Sequence, residues 1–168
     1  MPLTLATLQR KKPATDEVLI AADSTQKRSL DAAQQRLSMA KLGGGEEAIK
    51  TAEEALEKVK AEIRKTGIAF TLVAVGRPRW DELLVEHRPT EAMQEVDAAL
   101  PDVERRTFNP ATFWPALLAE SVPDSKLTPE QWDKAVFLSK DWTAEEVSAL
   151  RDKAVQVNQD SLVIDLGN

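Results

Sequence analysis

Two helical stripes on either side of three consecutive glycines restrict this chain more than any other feature. The first stripe, Leu30, Ala33, Leu37 and Ala40, repeats in steps of three and four, which predicts a helix from about Thr25 to Leu42. Gly43-Gly44-Gly45 breaks it. No single tight turn needs three glycines, so a flexible or left-handed reversal is expected there. The second stripe, Ile49, Ala52, Leu56, Val59 and Ile63, predicts a helix from about Glu46 to Lys65. Glu46 and Glu47 in its first turn and Arg64 and Lys65 in its last suit the helix dipole. Glu46–Lys50 and Glu54–Lys58 are favourably ordered i,i+4 pairs, each contributing roughly 0.2–0.5 kcal/mol. Helices of similar length with so short a link should lie antiparallel. Several seam positions are only alanine, so the hairpin is marginal by itself and should lean on a body or a partner.

Short apolar runs flank the hairpin. Residues 17–22 (EVLIAA) read as a strand, closed by Asp23, which with Gln26 resembles a capping box. Residues 68–75, bounded by Gly67 and Gly76 and rich in β-branched and aromatic side chains, form the clearest strand. An antiparallel hairpin brings its ends together, so the two strands are placed to pair at its base. Two strands are too few to stand alone, and helices from the C-terminal half should cover at least one face. Residues 1–16 are expected to be a flexible N-terminal arm. Its cluster Arg10-Lys11-Lys12 is either solvated or docks on an acidic surface.

The C-terminal half is organised around residues 105–118 (RRTFNPATFWPALL). They carry Phe108, Phe113 and Trp114, in a chain with only four phenylalanines and four tryptophans. Asn109-Pro110 reads as an N-cap with proline at the first helical position. Pro115 follows a turn later, so either the first turn is kinked or the main helix starts at Pro115. In both cases Phe113, Trp114, Leu117 and Leu118 share a broad face. Upstream, Pro78 starts a helix with Trp80, Leu83 and Leu84 on one side, ending before Pro89 with His87 as a C-terminal cap. Thr90 caps a weaker helix to about Leu100, with Met93, Val96 and Leu100 on one side. Thr128-Pro129-Glu130-Gln131 starts a helix to about Leu138 carrying Trp132, Ala135 and Val136. Thr143-Ala144-Glu145-Glu146 is a capping box for a helix to about Asn158, with Trp142 as a hydrophobic staple against Val147. The expected core organisers are therefore Trp80, Phe108, Phe113, Trp114, Leu117, Trp132 and Trp142. The tail 161–168 is apolar for a terminus and serves either the fold or a partner contact.

The resulting fold class is α+β and mostly helical. A short antiparallel β-ribbon carries a helical hairpin (17–76), and a compact bundle of about five short helices follows (77–160), then the apolar tail (161–168).

The residue inventory offers little chemistry. There is no cysteine and a single histidine, so thiolate sites do not exist and a histidine-based metal site or dyad is not expected. The net charge of −6 gives no overall pull toward nucleic acid; Arg77/Arg79 and Arg105/Arg106 are isolated basic pairs. No apolar run approaches a membrane span, and the N-terminus lacks a signal-peptide layout. The triple glycine lacks the strand, lysine and hydroxyl of a phosphate loop. HExxH, an EF-hand loop and a serine elbow are missing, and no pattern builds a cleft with paired carboxylates. Neither an enzyme nor a cofactor is expected.

Taken together, residues 70–72 (FTL), 80–89 (WDELLVEHRP), 108–119 (FNPATFWPALLA), 127–130 (LTPE) and 155–158 (VQVN) resemble the tail assembly chaperones of long-tailed, siphovirus-type bacteriophages infecting actinobacteria. The likeness covers about residues 17–160 and includes a charged helical hairpin between a short strand and a longer one. Arg88 stands where the family usually has a second proline, and the triple-glycine loop is a further departure. The resemblance implies a non-enzymatic factor in the host cytoplasm, absent from the mature virion. It would bind the tape-measure protein, keep its apolar helices soluble and help recruit the major tail-tube protein. Many such chaperones also occur as a longer frameshifted form. The terminal Leu166-Gly167-Asn168 can be encoded by a slippery heptamer, which is compatible with a shorter product; self-association is compatible too.

The physical counterpart is an exposed apolar groove that takes an amphipathic helix. The partner-binding candidates are Leu30, Leu37, Ile49 and Leu56 on the hairpin and Leu162, Val163, Ile164 and Leu166 in the tail. The alternatives are a structural tail or neck component with the hairpin as an interlocking arm, and a stand-alone regulatory binding module.

Overall fold

A computed structural model describes residues 12–159. The order of elements is β1 (Thr15–Ile20), α1 (Ser24–Gly43), α2 (Glu46–Thr66), β2 (Ile68–Val73), α3 (Arg77–Glu86), α4 (Glu91–Asp97), a 3-10 turn (Asp102–Glu104), α5 (Pro110–Ser121), α6 (Pro129–Trp132, continued by a π turn to Phe137) and α7 (Ala144–Gln159). The fold is mostly helical α+β, with β1 and β2 paired antiparallel in a two-stranded sheet.

The chain divides into two compact units: Glu17–Phe70, and the segment ending at Asp16 together with Thr71 onward. In the first unit, α1 and α2 pack on one another as the stripes predict. Ala33, Ala52, Leu56 and Ile63 are buried, while Leu30, Leu37, Ala40, Ile49 and Val59 are half-buried. The base of the hairpin is pinned twice. Arg64 makes a two-pronged ion pair with Glu17 (Nε–Oε1 and Nη2–Oε2 both 2.7 Å), and Gln26 Nε2 donates to Thr66 Oγ1 at 2.6 Å. Asp23 caps α1 by accepting from the N–H groups of Thr25 and Gln26. Gln26 Oε1 reaches back to the Ala22 N–H rather than to that of Asp23. That bond takes Ala22 out of the extended chain, so β1 occupies 15–20 and not the expected 17–22.

The glycine reversal is not left-handed. Gly44 has φ −90° and Gly45 φ −77°. What Gly44 supplies is room, since a Cβ there would lie 2.7 Å from the Ala40 carbonyl oxygen.

In the second unit, β2 stops at Val73 because the Val75 N–H donates to Asn158 Oδ1 of α7 at 2.9 Å. Lys153 of the same helix pairs with Asp16 at 2.7 Å. Helix α5 forms the centre. Asn109 caps it with its side chain on the Ala111 N–H, Pro110 opens it, and it runs unbroken through Pro115. Pro115 gives Ala111 no N–H to accept, but Ala111 is exposed and water can take its carbonyl. Burial of Phe113, Ala116, Leu117 and Leu118 holds the helix together past that point; each large side chain contributes roughly 1.5–3 kcal/mol.

Both C-terminal capping boxes form. Thr128 and Gln131 exchange bonds at the start of α6, and Thr143 and Glu146 do so before α7. Helix α6 does not reach Leu138 as a regular helix: the Leu138 N–H bonds the Asp133 carbonyl, five residues back. Helix α4 is shorter than expected and its apolar stripe is not a core stripe. Met93 is half-buried, whereas Val96 and Leu100 are exposed and Asp97 is buried instead.

Candidate partner-binding surfaces

The aromatic cluster supplies the rigid frame of the second unit. Phe113 is its hub, with ring centroids 5.5 Å from Trp80, 4.2 Å from Phe108, 5.2 Å from Trp114 and 6.4 Å from His87. Most of these contacts are edge-to-face, the arrangement favoured by the ring quadrupole. His87 also caps α3, its N–H on the Leu83 carbonyl, and its own carbonyl accepts from the Asn109 N–H at 2.7 Å. That bond joins the end of α3 to the start of α5.

Of the expected core organisers, Phe113, Leu117 and Trp132 are buried, while Trp80, Phe108, Trp114 and Trp142 are half-buried. The Arg151 guanidinium lies over two rings, 5.7 Å from the centre of Trp114 and 5.2 Å from that of Phe137, within cation–π range.

Charged groups close the frame from outside. Arg79 of α3 binds Glu82 and Glu86 of its own helix and Glu120 of α5, the last at 2.6 Å. The Glu120 bond is the largest of the interactions that hold Arg79 firmly protonated, and the same guanidinium lowers the carboxyl of Glu86. These groups are substantially hydrated, so the cluster orients α3 on α5 more than it stabilises them.

Among the described residues no cluster of three His, Asp or Glu side chains could hold a metal ion, and no helix is long and apolar enough to cross a membrane.

The hairpin candidates separate into two sets. Leu56 is buried and Leu30, Leu37 and Ile49 are half-buried along the line where α1 meets α2. The freely exposed apolar side chains of the hairpin are two that the stripe pattern omits, Met39 (65 % exposed) and Leu42 (84 %), both in the last turns of α1. They fall off the three-four register, which is why periodicity passes over them. Leu162, Val163, Ile164 and Leu166 lie outside the described residues.

A second exposed group, Val96, Leu100 and Val103, flanks the ion pair of the buried Asp97 with the exposed Arg106. Here the sequence offered one signal, an acid and a base nine residues apart around Pro101. No protein-family model matches the chain, and no curated protein or solved structure matches it either.

Proposed function

We propose that this protein is a non-enzymatic assembly chaperone of a long-tailed bacteriophage, binding the tape-measure protein and the tail-tube subunits during tail morphogenesis in the host cytoplasm. The motif strings around Trp80, Phe113 and Thr128 support the family reading.

The observation that carries the mechanism is the underfilled hairpin. Helices of 20 and 21 residues bury only Ala33, Ala52, Leu56 and Ile63. Leu30, Leu37 and Ile49 remain half-buried and Met39 and Leu42 exposed. An amphipathic helix laid along the seam would cover Leu30, Leu37 and Ile49, which two helices cannot cover for each other, and Met39 and Leu42, on another face of α1, offer a separate apolar contact near the bend. A long apolar helix awaiting assembly has the complementary need, and the acidic surface keeps the pair soluble. The apolar tail 161–168 belongs to the same proposal as a second grip.

The test is co-expression with the tape-measure protein followed by affinity capture. The full chain should yield a soluble complex. The variant Met39→Ser/Leu42→Ser lacking 161–168 should lose most of it while keeping its helical circular dichroism. Unchanged capture would refute the surface. Mass spectrometry of purified particles separates the alternative role: stoichiometric presence in the virion would make the hairpin a permanent interlocking arm.

A further inference from the structure

The segment from Val96 to Arg106 supports a second inference, independent of the hairpin. Val96 is 66 % exposed, Leu100 37 % and Val103 93 %. Val96 lies in the last turn of α4 and Leu100 three residues past its end, where the Leu100 N–H bonds the Asp97 carbonyl. Val103 is the middle residue of the 3-10 turn that follows.

This segment is clasped. The Arg106 guanidinium grips the buried Asp97 carboxylate (Nη2–Oδ1 2.6 Å, Nε–Oδ2 2.9 Å), and the Arg106 N–H donates to the same group at 3.1 Å. Arg105 Nε donates to the Leu100 carbonyl at 3.0 Å, and its Nη1 lies 2.7 Å from Asp102. The apolar side chains are thus held out by a framework already formed, which lowers the ordering cost of any contact they make.

The charges point one way. Both cations of the segment are taken up by its own carboxylates, Arg105 by Asp102 and Arg106 by Asp97. Glu91, Glu95 and Glu104 are exposed and have no ion partner among the described residues. Three exposed apolar side chains in a stretch whose unpaired charges are all acidic suit a helix that is apolar on one face and basic along its flanks.

We propose that the clasped segment 96–106 is a docking surface for a lysine- or arginine-rich amphipathic helix of a partner polypeptide. The contact is small, so binding is weak at high ionic strength and steered by charge at low.

The probe is a synthetic peptide of leucine and lysine at heptad spacing, titrated into the full-length protein and followed by amide NMR shifts and fluorescence anisotropy. The amides of 91–106 should move. Val96→Ser/Val103→Ser should weaken binding at 91–106 roughly tenfold, the loss expected from two unburied valine side chains. Glu91→Gln/Glu95→Gln/Glu104→Gln should weaken it and flatten its dependence on salt. A leucine–glutamate peptide of the same pattern should not bind. The idea is overturned if 91–106 stays still, if the serine variant binds like the parent, or if the glutamate peptide binds equally. It is also overturned if ultracentrifugation shows a dimer that the serine substitutions dissolve, because the occupant is then a second copy.

Discussion

Asp97 is almost closed off from solvent, and three donors from Arg106 hold its carboxyl below the ordinary aspartate range, the side-chain bonds contributing most. A carboxyl lowered in the folded state contributes stability above its unfolded value, and that contribution fades as pH falls through the folded one. Asp97→Asn should therefore melt below the parent at neutral pH, and the gap should close progressively below the normal aspartate range. A gap that persists unchanged into strong acid would show that the charge is not what matters. Ser121 presents the opposite case. Its hydroxyl is fully buried and has no hydrogen-bond partner among the described residues. Ser121→Ala should raise stability by about 1 kcal/mol in a denaturant titration, the cost of an unmet buried hydroxyl. Neither feature was readable from residue order. Asp97 stands four residues after Met93, on the face that the Met93/Val96/Leu100 stripe marks, where an acid reads only as a break in that stripe, and the return of the chain at Arg106 brings its partner. Phe113, by contrast, was legible as a core residue because a large aromatic flanked by apolar neighbours has few other places to go.

Helix starts were the best-read features, because a cap is a local contract between residues three apart. Thr128–Gln131 and Thr143–Glu146 form the boxes their spelling implies. Thr143→Ala should cost about 1 kcal/mol and fray the first turn of α7, measurable by amide exchange at 144–147. Helix ends other than that of α4 fall within about a residue of the expected positions, whereas the strand limits move, because single bonds outside the ladder decide them: Asn158, from the far end of the chain, stops β2, and Gln26 shortens β1. Gly67, just before β2, was seen only as a boundary, yet a Cβ there would lie 2.4 Å from the Ile20 carbonyl oxygen. Gly67→Ala should force the backbones apart and lower stability by roughly 1–3 kcal/mol, read as a fall in thermal midpoint. Along the hairpin, α1 buries a single residue, Ala33, whereas α5 buries six, so the amides of α1 should exchange well ahead of those of α5.

The two compact units differ in what reports on them. Trp80, Trp114, Trp132 and Trp142 all belong to the unit that contains α3–α7, and Glu17–Phe70 has no tryptophan. Helices α1 and α2 account for much of the helical signal. Unfolding followed by tryptophan fluorescence should therefore lag behind unfolding followed by circular dichroism, the thin hairpin melting at lower denaturant. Superimposable curves would mean that the two units unfold as one. The paired stripes gave the α+β reading its two long helices, while the clasp at 97–106 lies outside any periodic pattern and rests on an acid and a base either side of Pro101. The hairpin is fastened at its base by Arg64–Glu17 and Gln26–Thr66 and turned at Gly44, and none of these depends on how many residues lie between. Adding seven residues to each helix in step would carry the bend about 10 Å further from the fastening and keep every apolar step in phase. The arm is thus a ruler whose divisions are heptads, and its reach can be reset without redesigning either end.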